Sequence, residues 1–191
     1  MHKTLRLTGG SYAGRRLYVP GKGTRPATNR VREAVFSIIL SYFEKGAAGL
    51  NVLDLFAGSG SLGIEAISRG AKSCTFVEKD PFAAGSIRKN LKMLQMPGSV
   101  IQSGVNVYLK RAKQLRYDLV FMDPPYRYRK IGEVVRLLRV ALERTCSPVL
   151  IYEREYAEQL PGVDRCAELL KRKRYGQTEV LYYRVTEEDA E

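Results

Sequence analysis

The spacing of apolar residues changes several times along the chain, and each change marks an element. "KTLRLTGGSYAGRRLYVP" alternates and is broken at Gly9-Gly10 and Gly14. That pattern predicts a β-hairpin with strands near 3–8 and 14–19. "GKGTRP" reads as a loop. Thr28 or Asn29 is placed to cap a helix running to about Phe43, along which Val31, Val35, Ile38, Ile39 and Tyr42 recur at helical spacing. From residue 50 strand-like and helix-like runs take turns. Strands are predicted at 50–55, 73–78, 99–102, 117–122 and 148–153, and helices at about 61–69, 81–94, 105–113 and 131–143. "AELLKRKRYGQTEVLYYRV" forms two extended runs around Gly176, a terminal hairpin. Strands alternating with helices imply an α/β fold whose mostly parallel sheet is covered on both faces. The expected organisation is a hairpin extension over 1–24, the α/β domain over 25–186 and an acidic tail over 187–191.

Two strand ends carry candidate chemistry. "VLDLFAGSGSLG", Val52 to Gly63, holds G-x-G-x-x-G at Gly58, Gly60 and Gly63, between a strand and a helix. Glu78 lies 15 positions beyond the last glycine, at the end of the next strand. By spacing this is a dinucleotide fingerprint. Asp54 argues against a pyrophosphate, which wants backbone N–H donors and a helix N-terminus with no carboxylate beside them. S-adenosylmethionine carries no phosphate, and its ammonium and sulfonium groups favour a nearby carboxylate. Glu78 suits the ribose hydroxyls. The second strand end is "VFMDPPY", which places Asp123 at the end of a buried strand, followed by Pro124, Pro125 and Tyr126. The Asp123 carboxylate and the Pro124 carbonyl are two acceptors for an exocyclic amine, and Tyr126 offers a ring on which a base can stack. In an open α/β sheet ligands bind beyond the carboxyl ends of the strands, so these segments are expected to converge on one edge.

Composition narrows the partner. The 191 residues are 45% hydrophobic and 27% charged, with a net charge of +12. Four of the 20 acids lie in the tail "TEEDAE", leaving a body with 32 basic residues against 16 acids. The basic residues cluster at Arg15/Arg16, at Arg25/Arg30/Arg32, at Arg127/Arg129/Lys130 and in "KRKR", which points to nucleic acid. No apolar run is long enough to span a bilayer and no signal segment opens the chain, so a cytoplasmic protein with no membrane partner is expected. The three cysteines are widely spaced and the single histidine is His2. No metal site and no histidine-based nucleophile mechanism is expected.

Together the segments "LRLTGGSYAGRRLYVP", "TRPATNRVREAVFSIIL", "VLDLFAGSGSLGIEAISRGA", "FVEKD" and "DLVFMDPPY" resemble the bacterial RsmD family, in order over roughly residues 4–130. The resemblance implies a class I S-adenosylmethionine-dependent methyltransferase fold, Rossmann-like, with a seven-stranded sheet and an N-terminal hairpin. It implies methyl transfer to the N2 amine of a guanine in 16S ribosomal RNA, free or in an assembling small subunit, by a monomer. It further implies that Asp54, Phe56, Gly58, Ser59, Gly60, Glu78, Lys79, Gly104, Val105, Thr28 and Arg32 hold the cofactor. Asp123, Pro124, Pro125 and Tyr126 would hold the target amine, and Arg15, Arg16, Arg25, Arg127, Arg129 and Lys130 the RNA. The chain departs from the family where "QSGVN" offers no acid after the third strand of the alternating run. Adenine recognition then falls to the backbone at Gly104–Val105 or to the Asn106 amide.

Other readings remain. D-P-P-Y enzymes also methylate adenine N6 or a protein glutamine. DNA enzymes of that kind usually carry a target-recognition domain, for which there is no room, and a glutamine substrate would not call for so basic a body. A nicotinamide oxidoreductase is disfavoured by Asp54, and a non-catalytic RNA-binding module would not need Glu78 and Asp123 to converge.

Overall fold

The computed structural model describes residues 4–19, 29–125, 128–156 and 166–186. The N-terminal hairpin is β1 (Thr4–Arg6) and β2 (Arg16–Tyr18), followed by α1 (Asn29–Tyr42). The alternating region runs β3 (Asn51–Leu55), α2 (Ser61–Ser68), β4 (Ser73–Glu78), α3 (Pro81–Leu94), β5 (Gly98–Gln102), α4 (Val105–Arg111), β6 (Leu119–Met122), α5 (Ile131–Ala141) and β7 (Val149–Glu155). The closing hairpin is β8 (Ala167–Tyr175) and β9 (Thr178–Val185). Every predicted element is present. Strand β6 starts later than expected because Asp118 turns its carboxylate to the Asn51 N–H at 2.8 Å. Strand β7 runs on to Glu155 because β9 pairs with it from Val149↔Arg184 to Glu155↔Thr178.

The seven-stranded sheet has the order β5-β4-β3-β6-β7-β9-β8. The pairs from β5 to β7 are parallel, and β9 is antiparallel to both β7 and β8. The chain leaves β3 in one direction to β4 and β5, then returns to β6 on the other side. That reversal opens a crevice at the carboxyl ends of β3 and β6, where ligands of such sheets bind.

Each face has its own core. Val52, Phe76, Phe121, Ile151 and Tyr182 share one with α1, α2 and α3. Leu53, Val77, Met122, Tyr152 and Leu181 share the other with α4 and α5. Alternation along the strands produces this division. All eight residues of α2 are buried, including Glu65 and Ser68. The N-terminal hairpin covers its outer side: Thr8 donates to Glu65 from its backbone N–H at 2.9 Å and from its hydroxyl at 2.8 Å. Ser11 N–H donates to Ser68 O at 2.7 Å. Leu7 and Leu17 join the same core, and burying a leucine contributes about 1.5–3 kcal/mol. Asn90 of α3 completes the docking, accepting from Tyr18 N–H and donating to Tyr18 O, both at 2.9 Å.

Candidate active site

The glycine loop begins where β3 ends. Phe56 takes a positive φ of 60°, uncommon for a bulky side chain and a feature that clusters at functional sites. Gly60, at φ 73°, precedes the first turn of α2. A Cβ on Gly63 would stand 2.4 Å from Phe76 and 2.6 Å from Cys74, so only glycine lets α2 lie this close to β4.

Carboxylates already occupy amides that a phosphate would use. Asp54 Oδ2 accepts from Gly63 N–H, in the first turn of α2, at 3.1 Å. Glu78 Oε2 accepts from Gly58 N–H at 2.7 Å, and its Oε1 from Asp80 N–H at 2.7 Å. The anion-binding position of a dinucleotide fold is thus filled by the protein's own negative charge. Asp54 is 2% exposed. Burial pushes its pKa from 3.8 up to about 7, the Gly63 N–H works against that, and the Glu78 charge adds to it. Such a group gains from a cationic partner. Glu78, held at both oxygens, has lone pairs left for a vicinal diol. The pair fits a nucleoside cofactor that carries an ammonium group and no phosphate.

Asp123 follows β6 directly, next to β3. Burial, then the charge of Glu153, then that of Asp54 push its pKa well above the usual carboxylate range. Pro124 is buried and Pro125 exposed. Tyr126 lies outside the described residues, as do Arg127, Arg25 and Thr28. Two residues later, Tyr128 sets its ring edge-on to Phe56, with centroids 5.0 Å apart. Its hydroxyl donates to Asn106 Oδ1 at 2.9 Å. The segment after Asp123 is therefore tied both to the end of β3 and to α4. Gly104 is extended just before α4, and Val105 is buried. Ser59 is buried and Lys79 exposed. The structure brings Asp54, Phe56, Gly58, Ser59, Gly60, Glu78 and Asp123 to one sheet edge.

Other expected residues lie elsewhere. Arg32 is fully buried against α2: its Nη2 donates to Arg6 O at 2.6 Å and to Asn29 Oδ1 at 2.8 Å, and its Nε is 3.9 Å from Glu65. These partners join the hairpin to α1 and α2. Arg15 and Arg16 are exposed, on a hairpin whose tip docks at Ser68. That is the end of α2 far from the glycine loop, and both arginines add to the exposed basic surface. Arg129 and Lys130 are exposed ahead of α5, on the Asp123 side.

The family model described as Conserved hypothetical protein 95 matches residues 5–184. Ribosomal RNA small subunit methyltransferase D of Escherichia coli is 33% identical, over 98% of this chain and 91% of that one. The chain belongs to the RsmD family. Its fold is that of the S-adenosylmethionine-dependent methyltransferases. The Escherichia coli protein yhhF superimposes with a TM-score of 0.81 at 32% identity, covering 97% of this chain and 99% of its own. The same fold recurs in the Thermus thermophilus 16S rRNA N2 G1207 methyltransferase (RsmC), solved with AdoMet and guanosine. There the TM-score is 0.72 at 18% identity, over 97% of this chain and 50% of that one. The expected RsmD membership and fold class are thereby borne out. Sequence reasoning missed Glu65, Tyr128 and Glu153. For Glu153 a signal existed, since it closes a predicted strand as Glu78 does.

Proposed function

We propose that the protein transfers the methyl group of S-adenosylmethionine to the exocyclic N2 amine of a guanine in 16S rRNA, acting as a cytoplasmic monomer. The observation that carries this reading is the occupation of the Gly58 and Gly63 amides by Glu78 and Asp54, one strand away from Asp123. It favours a phosphate-free nucleoside cofactor beside a polar acceptor for an amine. Membership in a family with rRNA methyltransferases supports RNA as the substrate, as does the net charge of +12. The neighbour named for N2 methylation, solved with guanosine, supports guanine.

The cofactor supplies an electrophilic methyl group on a cationic sulfur. When it is bound, Glu78 would accept from its ribose hydroxyls and Asp54 would pair with its ammonium. The Asp123 carboxylate and the Pro124 carbonyl accept the N–H groups of the target amine. That turns the amine lone pair, otherwise delocalised into the ring, towards the methyl. Orientation of this kind supplies most of the rate. The raised pKa of Asp123 lets its carboxylate hold the proton that the methylated amine releases. Tyr126, which follows Pro125 in the chain, would supply the ring on which the extruded base stacks. Nucleoside analysis of small-subunit rRNA from cells with and without the protein tests the reading. One N2-methylguanosine should vanish with the protein; an unchanged rRNA profile would contradict it.

A further inference from the structure

Strand β7 brings a second carboxylate to the target side of the crevice. It pairs in parallel with β6, and the last registered pair is Met122↔Tyr152. The next residues, Asp123 and Glu153, therefore follow side by side on strands about 4.8 Å apart. Phe121 and Ile151 lie on the α1–α2 face, while Met122 and Tyr152 lie on the other. Alternation puts Asp123 and Glu153 together on the α1–α2 face. The Glu153 charge reaches Asp123 on one side. On the other it reaches Tyr182 of β9, which is buried on that same face. Glu153 thus stands between them, on the flank of Asp123 facing away from Asp54.

We propose that Glu153 accepts the N1–H of the target base while Asp123 accepts the N2 amine, and so selects guanine over adenine. The proposal rests on the guanine-N2 reading above. The Watson–Crick edge of guanine offers two adjacent donors, N1–H and the N2 amine, which match two adjacent carboxylates. Beside its N6 amine adenine offers only the N1 lone pair, which a carboxylate repels. An Asp-Pro-Pro-Tyr segment alone holds an amine on either base. The neighbouring acceptor makes the choice, because a donor site left unmatched, or two acceptors forced together, weakens binding more than a matched pair strengthens it.

The test uses guanosine, 2-aminopurine riboside and adenosine as competitors of rRNA methylation by the full chain. 2-Aminopurine riboside keeps the amine and lacks the N1–H. The wild type should bind guanosine about 10- to 100-fold more tightly than 2-aminopurine riboside, the range of one charge-assisted hydrogen bond. In Glu153→Ala that preference should fall to near unity, and in Glu153→Gln, which keeps one neutral acceptor oxygen, it should fall well below the wild-type value, with S-adenosylmethionine affinity unchanged in both. A residue that only supports the fold would weaken all three nucleosides alike. Equal binding of guanosine and 2-aminopurine riboside by the wild type overturns the proposal, and needs no variant to fold. So does a variant that keeps the wild-type preference. Transfer of methyl to adenine N6 by the wild type would instead show that the guanine reading itself had failed.

Discussion

Replacing Asp54 with asparagine should stabilise the ligand-free protein while weakening its grip on the cofactor. The carboxyl titrates near 3.8 when exposed and near 7 in the folded protein. Below about pH 4 it is protonated in both states and contributes nothing. As the pH rises between the two values, the unfolded chain releases the proton and the folded one holds it, so the folded state loses stability. Above about pH 7 the loss is complete, at about 1.4 kcal/mol per tenfold, or about 4 kcal/mol in all. Asparagine has no charge to desolvate and keeps an oxygen for the Gly63 N–H, now at 3.1 Å. Urea unfolding of ligand-free protein should therefore show Asp54→Asn more stable than wild type by a few kcal/mol at about pH 8. The gap should shrink towards zero at about pH 4. By calorimetry at about pH 8 the same variant should bind S-adenosylmethionine at least about tenfold more weakly, having lost a charge-assisted contact. A stability difference that does not change with pH, or an unchanged affinity, would refute the reasoning.

Glu78→Ala should weaken S-adenosylmethionine by about one to two orders of magnitude in calorimetry, since charged hydrogen bonds are worth about 1.5–3 kcal/mol. Glu65→Ala should cost about 3–5 kcal/mol in denaturant unfolding, because it leaves Arg32 buried with its charge uncompensated and unties Thr8. Neutralising Arg16, Arg129 and Lys130 together should lower the log–log salt dependence of RNA binding by about 0.7–0.9 per lost phosphate contact and leave cofactor affinity unchanged. Filter binding over a salt series measures that slope.

What could be read from the sequence was what is local. Asp54 and the three glycines lie within one strand, one turn and one helix, so their spacing alone carried their meaning. The site edge followed from strand ends, because an alternating fold puts those ends together. Arg32 shows where that reasoning stopped. Its partners Arg6 and Glu65 come from the hairpin and from α2, 26 and 33 positions away. Only the docking of the hairpin reveals that α2 has no exposed face. The same docking fixes the hairpin that carries Arg15 and Arg16, since the turn at Tyr12 is anchored to Ser68. The backbone at Gly104–Val105 and the Asn106 amide are the two expected contacts for adenine, and the Tyr128 hydroxyl, 22 positions beyond Asn106, donates to the Asn106 Oδ1. That link depends on where the chain goes after Pro125, which no periodicity describes.

The site stands or falls on Asp123. The most direct measurement is single-turnover transfer of labelled methyl to small-subunit rRNA by wild type, Asp123→Ala and Asp123→Asn, followed by nucleoside analysis. The label should appear as N2-methylguanosine. Asp123→Ala should lose about 10²–10³ in rate with little change in RNA affinity, as expected when one preorganised group is removed. Asp123→Asn should retain partial activity if orientation dominates. Label recovered as N6-methyladenosine, or full activity in Asp123→Ala, would contradict the account.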